Sequence, residues 1–158
     1  MSRRDQIRLT DDEVRSFLEQ SKTVILVSNG PGGFPHPMPM WFVLDPDGAV
    51  LMTTYARSQK VLNLERDPSV ALLAESGLEY AELKGVIFYG RAEIIRDTEQ
   101  VIDTLMAAAG NPVPDDADAA QVQAVRDGMR KNASKRVLIR VKPERVVSWD
   151  HAKLGGVY

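Results

Sequence analysis

The stretch MTTYARSQKVLNLERDP, residues 52 to 68, joins two apolar, strand-like runs and carries a pair of threonines and a helix start with two cations beside it. Ser58 stands where it can cap a short helix in which Val61, Leu62 and Glu65 recur at helical spacing. Asp67-Pro68 ends that helix, because proline disfavours helical geometry in the residue before it. A helix start exposes unpaired N–H groups and the positive end of the helix dipole. With Arg57 before Ser58 and Lys60 two residues after it, the stretch outlines an anion site. Thr53 and Thr54 close the preceding strand, where their hydroxyls are placed to donate to the same oxygens. The competing reading leaves Ser58 as a plain cap and turns Arg57 and Lys60 to water.

Upstream, TDDEVRSFL puts Thr10 and Glu13 at capping-box spacing and Val14, Phe17 and Leu18 on one face, which predicts a helix over about residues 11 to 20. TVILVSN reads as a buried strand closed by the turn-forming NGPGG, and a hairpin should follow. In PHPMPMWFVL every second early residue is proline, which cannot donate to a sheet ladder, so the first half lies on an edge or lines a cleft while Trp41 to Leu44 pairs normally. DPDG then signals a tight turn, and AVLMTTY returns as the antiparallel partner.

Downstream, SVALLAE reads as a strand and YAELKGVIFYGRAEII as a long strand or a bent pair, with Gly85 and Gly90 marking bulges or close approaches. Asp97 caps TEQVIDTLMAAAG, whose Val101, Leu105 and Ala109 share a face. NPVPDDAD reads as a polar loop, and AAQVQAVRDGMRKN as a further amphipathic helix built on Val122, Val125 and Met129. RVLIRVKPERVVSWD supplies one or two final strands, and the tail HAKLGGVY is too rich in glycine to pack alone. About six strands with short turns and peripheral helices predict an α+β domain over residues 1–158 with an antiparallel barrel at its centre. The strand–helix alternation of a dinucleotide-binding parallel sheet is absent from this pattern.

Composition narrows the chemistry. A chain of 158 residues, 44% apolar, is long enough to bury a substantial core as one domain. It has no cysteine, which removes disulfides, thiolate metal sites and cysteine nucleophiles together. Its two histidines, His36 and His151, have no acidic cluster at ligand spacing, so no metal is expected. A net charge of −2 speaks against a general nucleic-acid binder. The apolar runs fall well short of the roughly 20 residues of a membrane helix, and MSRRDQIRLTDDEV has no apolar segment behind its basic start, which together predict a cytoplasmic protein without a membrane partner. The segment Arg130 to Arg145 holds seven cations and one acid, and reads either as a solvated strand edge and helix end or as a docking face for an anionic ligand.

Taken in order, PHPMPMWFV, DGAVLMTT, SQKVLNLERDPSVALL and YGRAEII resemble the pyridoxamine 5′-phosphate oxidase-like, or flavin reductase-like, split-barrel family over about residues 10 to 150. The most specific mark is the run T-x-x-x-S-x-K-x-x-N-L-x-x-D-P from Thr54 to Pro68. The resemblance implies a homodimer of split β-barrels with two flavin-type cofactors in clefts between the subunits. Thr54, Ser58 and Lys60 match the residues that hold the cofactor phosphate, with Thr53 and Arg57 as neighbours. Met38, Pro39, Met40 and Trp41 match the strand beside the tricyclic ring, where the prolines leave backbone carbonyls free to read the ring's polar rim; plain core packing is the other reading of Met40 and Trp41. Trp149 and Lys153 are placed to reach the partner's cleft.

Two departures shape the functional expectation. The arginine- and histidine-bearing C-terminal segment that pyridoxamine phosphate oxidases use on their substrate is not found after VVSWDHAKLGGVY, so oxidation of that vitamer is not expected. The ending resembles superfamily members that bind the deazaflavin coenzyme F420, which makes F420 the expected cofactor and FMN the alternative. The cofactor ring would carry the hydride chemistry, consistent with the lack of a Ser-His-Asp or paired-carboxylate constellation. Tyr55, Tyr80, His36 and His151 are the candidate proton donors near the substrate, and none is assigned a catalytic role. The expected function is hydride transfer to a small conjugated or planar substrate, against cofactor storage or sensing without turnover, or an FMN-dependent oxidase.

Overall fold

The structure is a computed structural model that describes residues 2–111 and 113–155. The described elements are α1 (Arg3–Gln6), α2 (Asp11–Gln20), β1 (Thr23–Asn29), β2 (Pro35–Trp41), β3 (Val43–Leu44), β4 (Val50–Tyr55), α3 (Gln59–Arg66), β5 (Ser69–Ser76), β6 (Lys84–Ile95), α4 (Thr98–Ala108), α5 (Ala119–Ala133) and β7 (Arg136–Asp150). Every strand pairing is antiparallel, in the order β2-β1-β5-β6-β7-β4-β3. Phe42 alone separates β2 from β3, yet these strands lie at opposite ends of that order. The sheet must therefore curl until its two ends approach, which makes it an antiparallel split barrel flanked by helices.

Local chemistry sets most of these boundaries. Thr10 and Glu13 form the expected capping box, with Glu13 N–H donating to Thr10 Oγ1 at 3.2 Å and Thr10 N–H to Glu13 Oε2 at 2.7 Å. Asp97 caps α4 through the amides of Glu99 and Gln100. Asp45 closes the β3–β4 turn by accepting from Asp47 and Ala49 N–H, and Gly48 adopts the positive φ of 81° that the turn needs. Pro35, Pro37 and Pro39 all occupy the same parity on the edge strand β2, so their missing amides fall on the outer side and the ladder to β1 is kept by His36, Met38 and Met40.

Alternation along β4 and β7 divides the apolar residues between two cores. Val50, Met52, Val137, Ile139 and Val141 face the barrel interior with Leu26 and Leu72. Leu51 and Leu138 face the other way, against Val101, Ile102 and Met106 of α4 and Val122, Val125 and Met129 of α5. The helices thus cover the outer face of β4 and β7.

The structure departs from the sequence-based expectation in three places. There are seven strands among the described residues because the β3 segment is too short to stand out as a separate run. Of the one or two final strands expected, β7 is a single 15-residue strand, and Pro143 falls opposite Gly90 at a register shift where no amide is called for. Val113, inside the stretch read as a polar loop, is buried in the outer core. Ser2 and Asp5 build a capping box for α1, a four-residue turn with no apolar face to announce it. Of the tail, His151–Leu154 forms a 3₁₀ turn and residues 156–158 lie outside the described residues.

Candidate functional site

At the start of α3, Ser58 occupies the cap position, but its side chain makes no capping hydrogen bond. Its Oγ lies instead 3.4 Å from Thr54 Oγ1. Lys60, the second residue of the helix and only 8% exposed, donates from Nζ to the same Thr54 Oγ1 at 3.0 Å. Burial pulls the Lys60 ammonium below its ordinary value of 10.5, and no carboxylate among the described residues offsets that cost. The plain-cap reading therefore fails at Ser58 and Lys60, and holds only for Arg57, which is exposed.

The second half of the motif anchors the helix. Asn63 and Ser28 are both 0% exposed, and Asn63 Nδ2 donates to Ser28 Oγ at 3.0 Å, joining α3 to β1. Gln59 Nε2 donates to Asn63 Oδ1 at 2.8 Å, and Arg66 donates to the Asn29 carbonyl. Asp67 accepts from Ser69 N–H at 3.0 Å and from Asn29 Nδ2 at 2.7 Å, and these bonds hold its carboxyl down to about 2. The bonds of Asn63 and Asp67 thus fix where the helix sits.

Beside this cradle a cleft of about 620 Å³ opens where the two ends of the sheet approach. One wall is Pro39, Met40 and Trp41 of β2, the floor is Leu51, Thr53 and Thr54 of β4, and the other wall comes from α4 and α5 with Arg136 of β7. Cradle and cleft meet at Thr54. Alternation places Thr53 and Thr54 on opposite faces of β4, with Thr54 turned toward Lys60 and Thr53 toward the helices. Their hydroxyls therefore do not converge on one set of oxygens, as the sequence reading expected.

A model of the family described as pyridoxamine 5′-phosphate oxidase matches residues 10–150. The chain belongs to the pyridoxamine 5′-phosphate oxidase family. A conserved hypothetical protein from Mycobacterium tuberculosis is 34% identical, with a TM-score of 0.83 over 100% of this chain and 95% of that one. A solved F420 reductase is 22% identical, with a TM-score of 0.60 over 84% of this chain and 94% of that one. A FAD-binding protein from Mesorhizobium loti is 16% identical, with a TM-score of 0.63 over 89% and 94%. At these identities the last two report the fold. No curated protein matches the chain.

Within this family member, the remaining residues expected at the site divide. Met38 shares the inward parity of Met40 on β2. Trp149 lies far along β7, opposite Gly85, where a Cβ added to the glycine would come 2.3 Å from the indole Cζ2. Lys153 donates to the Arg8 carbonyl at 2.9 Å and to Glu13 Oε2 at 2.6 Å, tying the tail to α2. Neither reaches the cradle of its own chain. Tyr80 and His151 pack on each other at 4.5 Å between ring centroids, at the same distant end.

The cation-rich segment does not form one face. Arg130 pairs with Glu99 and Asp127, and Arg140 with Asp45 and Asp47. Arg136 is the member that lines the cleft, together with Thr104, Leu105, Met129 and Asn132, none of which the sequence reading singled out as site residues. Helical periodicity marked Leu105 and Met129 as core-facing and gave no sign that they border a cleft.

The donor set fits a phosphate. An ammonium carries three N–H groups and Lys60 uses one, on a hydroxyl that is itself shared with Ser58. The first amides of α3 point from the same place with no side-chain cap. A phosphorylated flavin or deazaflavin is the family-type ligand with that requirement, and the residues that would hold its phosphate are Thr54, Ser58 and Lys60.

Proposed function

We propose that this protein is an oxidoreductase that binds coenzyme F420, or FMN in its place, and delivers a hydride to a small conjugated or planar substrate. The observation that carries the reading is the buried, carboxylate-free Lys60 beside the non-capping Ser58 and Thr54, the residue at which cradle and cleft meet. Lys60, Thr54 and Ser58 grip the phosphate. The outer edge of β2, with carbonyls and no amides at Pro37 and Pro39, accepts hydrogen bonds from ring N–H groups. The apolar walls exclude water from the reacting face. When bound, the ring supplies the hydride; the protein orients it and tunes its surroundings. A neighbouring fold that belongs to an F420 reductase supports the choice of cofactor.

The same reading makes the protein a homodimer. Trp41 is 69% exposed, Tyr55 53% and Leu62 49%, all on elements that border the cleft or the cradle, and a second copy would cover them. Trp149 of the partner would then be a candidate to complete the cleft.

The test is a titration of apoprotein with F420 and with FMN, read by ring fluorescence, followed by reduced F420 with an enone and quinone panel. Micromolar binding and oxidation of the reduced coenzyme support the proposal. Binding without turnover on any acceptor would point to storage or sensing, and absence of binding to either molecule would overturn the reading.

A further inference from the structure

We infer that Arg136 forms a second anion subsite, for a carboxylate carried on a flat apolar ligand lying in the cleft, distinct from the phosphate cradle at Lys60. The guanidinium is fixed from two sides: it stacks over the Tyr55 ring at 4.3 Å, and its Nε donates to Asn132 Oδ1 at 3.2 Å. Among the described residues, neither Nη1 nor Nη2 has a hydrogen-bond or ion-pair partner. Arg126, Arg130 and Arg140, on the same two elements, all sit on carboxylates. Arg136 alone of these lines the cleft, so its free fork faces ligand space. A held guanidinium with both terminal nitrogens open matches the two oxygens of a carboxylate.

The placement separates it from Lys60. Arg136 pairs with Tyr55 and Val137 with Thr54, so the two cations flank the end of β4 from opposite faces of the sheet. From Leu51 to Thr54 the floor runs about 10 Å along the strand, and around it Leu51, Leu105, Ala108 and Met129 offer apolar surface. A ligand filling that space meets apolar side chains along its body and one positive fork at its end. The inference rests on the proposed function only in taking the cleft as the place where ligand binds. The carboxylate belongs either to the tail of the cofactor or to a second small molecule.

The experiment uses full-length protein, tryptophan quenching with Trp41 at the cleft rim as reporter, and the variants Arg136→Met, Arg136→Lys and Lys60→Ala. Probes are cinnamate against cinnamamide, F420 against the deazaflavin alcohol lacking its phosphate and carboxylates, and FMN. The methionine keeps an apolar stem on Tyr55 and removes the fork. We expect Arg136→Met to lower affinity for a carboxylate-bearing probe about tenfold while cinnamamide and FMN bind as before, with Arg136→Lys restoring part of the loss. A loss confined to F420 assigns the carboxylate to the cofactor tail; a loss confined to cinnamate assigns it to a second ligand. Unchanged binding of both overturns the subsite, as does a loss for FMN equal to that for F420, which would place Arg136 in the phosphate cradle. Lys60→Ala separates the two ideas: if FMN binding survives it while Arg136 still discriminates acid from amide, the cradle fails and the subsite stands.

Discussion

Lys60 Nζ lies 3.0 Å from Thr54 Oγ1 in a site that buries the lysine to 8% exposure and offers the ammonium no carboxylate. A desolvated cation held by one hydroxyl is a cost to the free protein and a strong attractor for an anion. Behind the helix start, the Asn63–Ser28 bond ties α3 to β1.

Replacing Lys60 with Ala weakens cofactor binding by on the order of 1.5 to 3 kcal/mol, the range of a charge-assisted hydrogen bond. Lys60→Met does the same to affinity and raises the stability of the apoprotein, because it exchanges a desolvated cation for an apolar stem. Fluorescence titration and urea unfolding check the two halves. An unchanged dissociation constant would mean that the ammonium never meets the ligand.

The depressed Lys60 ammonium gives the site a pH signature. The unfolded chain, with Lys60 at 10.5, binds more protons than the fold in the window between the depressed value and 10.5, so apoprotein stability gains a contribution as pH rises through that window. A bound anion favours the ammonium and raises its pKa again. Binding then takes up to about one proton per site, and affinity falls as pH climbs above the depressed value. Calorimetry in buffers of different ionisation heat measures the uptake, and Lys60→Ala should abolish it.

Asn63→Ala leaves the Ser28 hydroxyl in a fully buried site without its partner, at a cost of about 1–3 kcal/mol. Because the bond fixes α3 on β1, the same change weakens phosphate binding although Asn63 does not line the cleft. Urea midpoints and FMN titration at matched folded fractions measure both. Ser28→Ala, which strands the Asn63 amide instead, should reproduce the pair of effects.

Gly85→Ala drives a methyl into the Trp149 indole, 2.3 Å away at Cζ2, and destabilises by about 1–3 kcal/mol as an overpacking change. Indole emission should shift as the ring is displaced. Combining Gly85→Ala with Trp149→Leu opens the space again and should recover much of the stability. If the single variant is as stable as the parent, the ring is free to move aside.

Residues within a few positions of one another settled much of this molecule. The Thr10–Glu13 box, the Asp45–Gly48 turn, the alternating prolines of the β2 edge and the bulge glycine of β6 are local devices, and each acts through backbone geometry that its own neighbours impose. The clustering of Thr54, Ser58 and Lys60 was legible for the same reason, since Ser58 and Lys60 lie at one helix start and Thr54 a short turn before it. Tertiary packing alone decided which face of β4 each threonine takes, that α4 and α5 wall the cleft, that Arg136 escapes the carboxylates around it, and that Lys153 is spent on Glu13. Those outcomes depend on which distant strands become neighbours when the sheet curls, and a linear pattern of residue types carries no record of that closure.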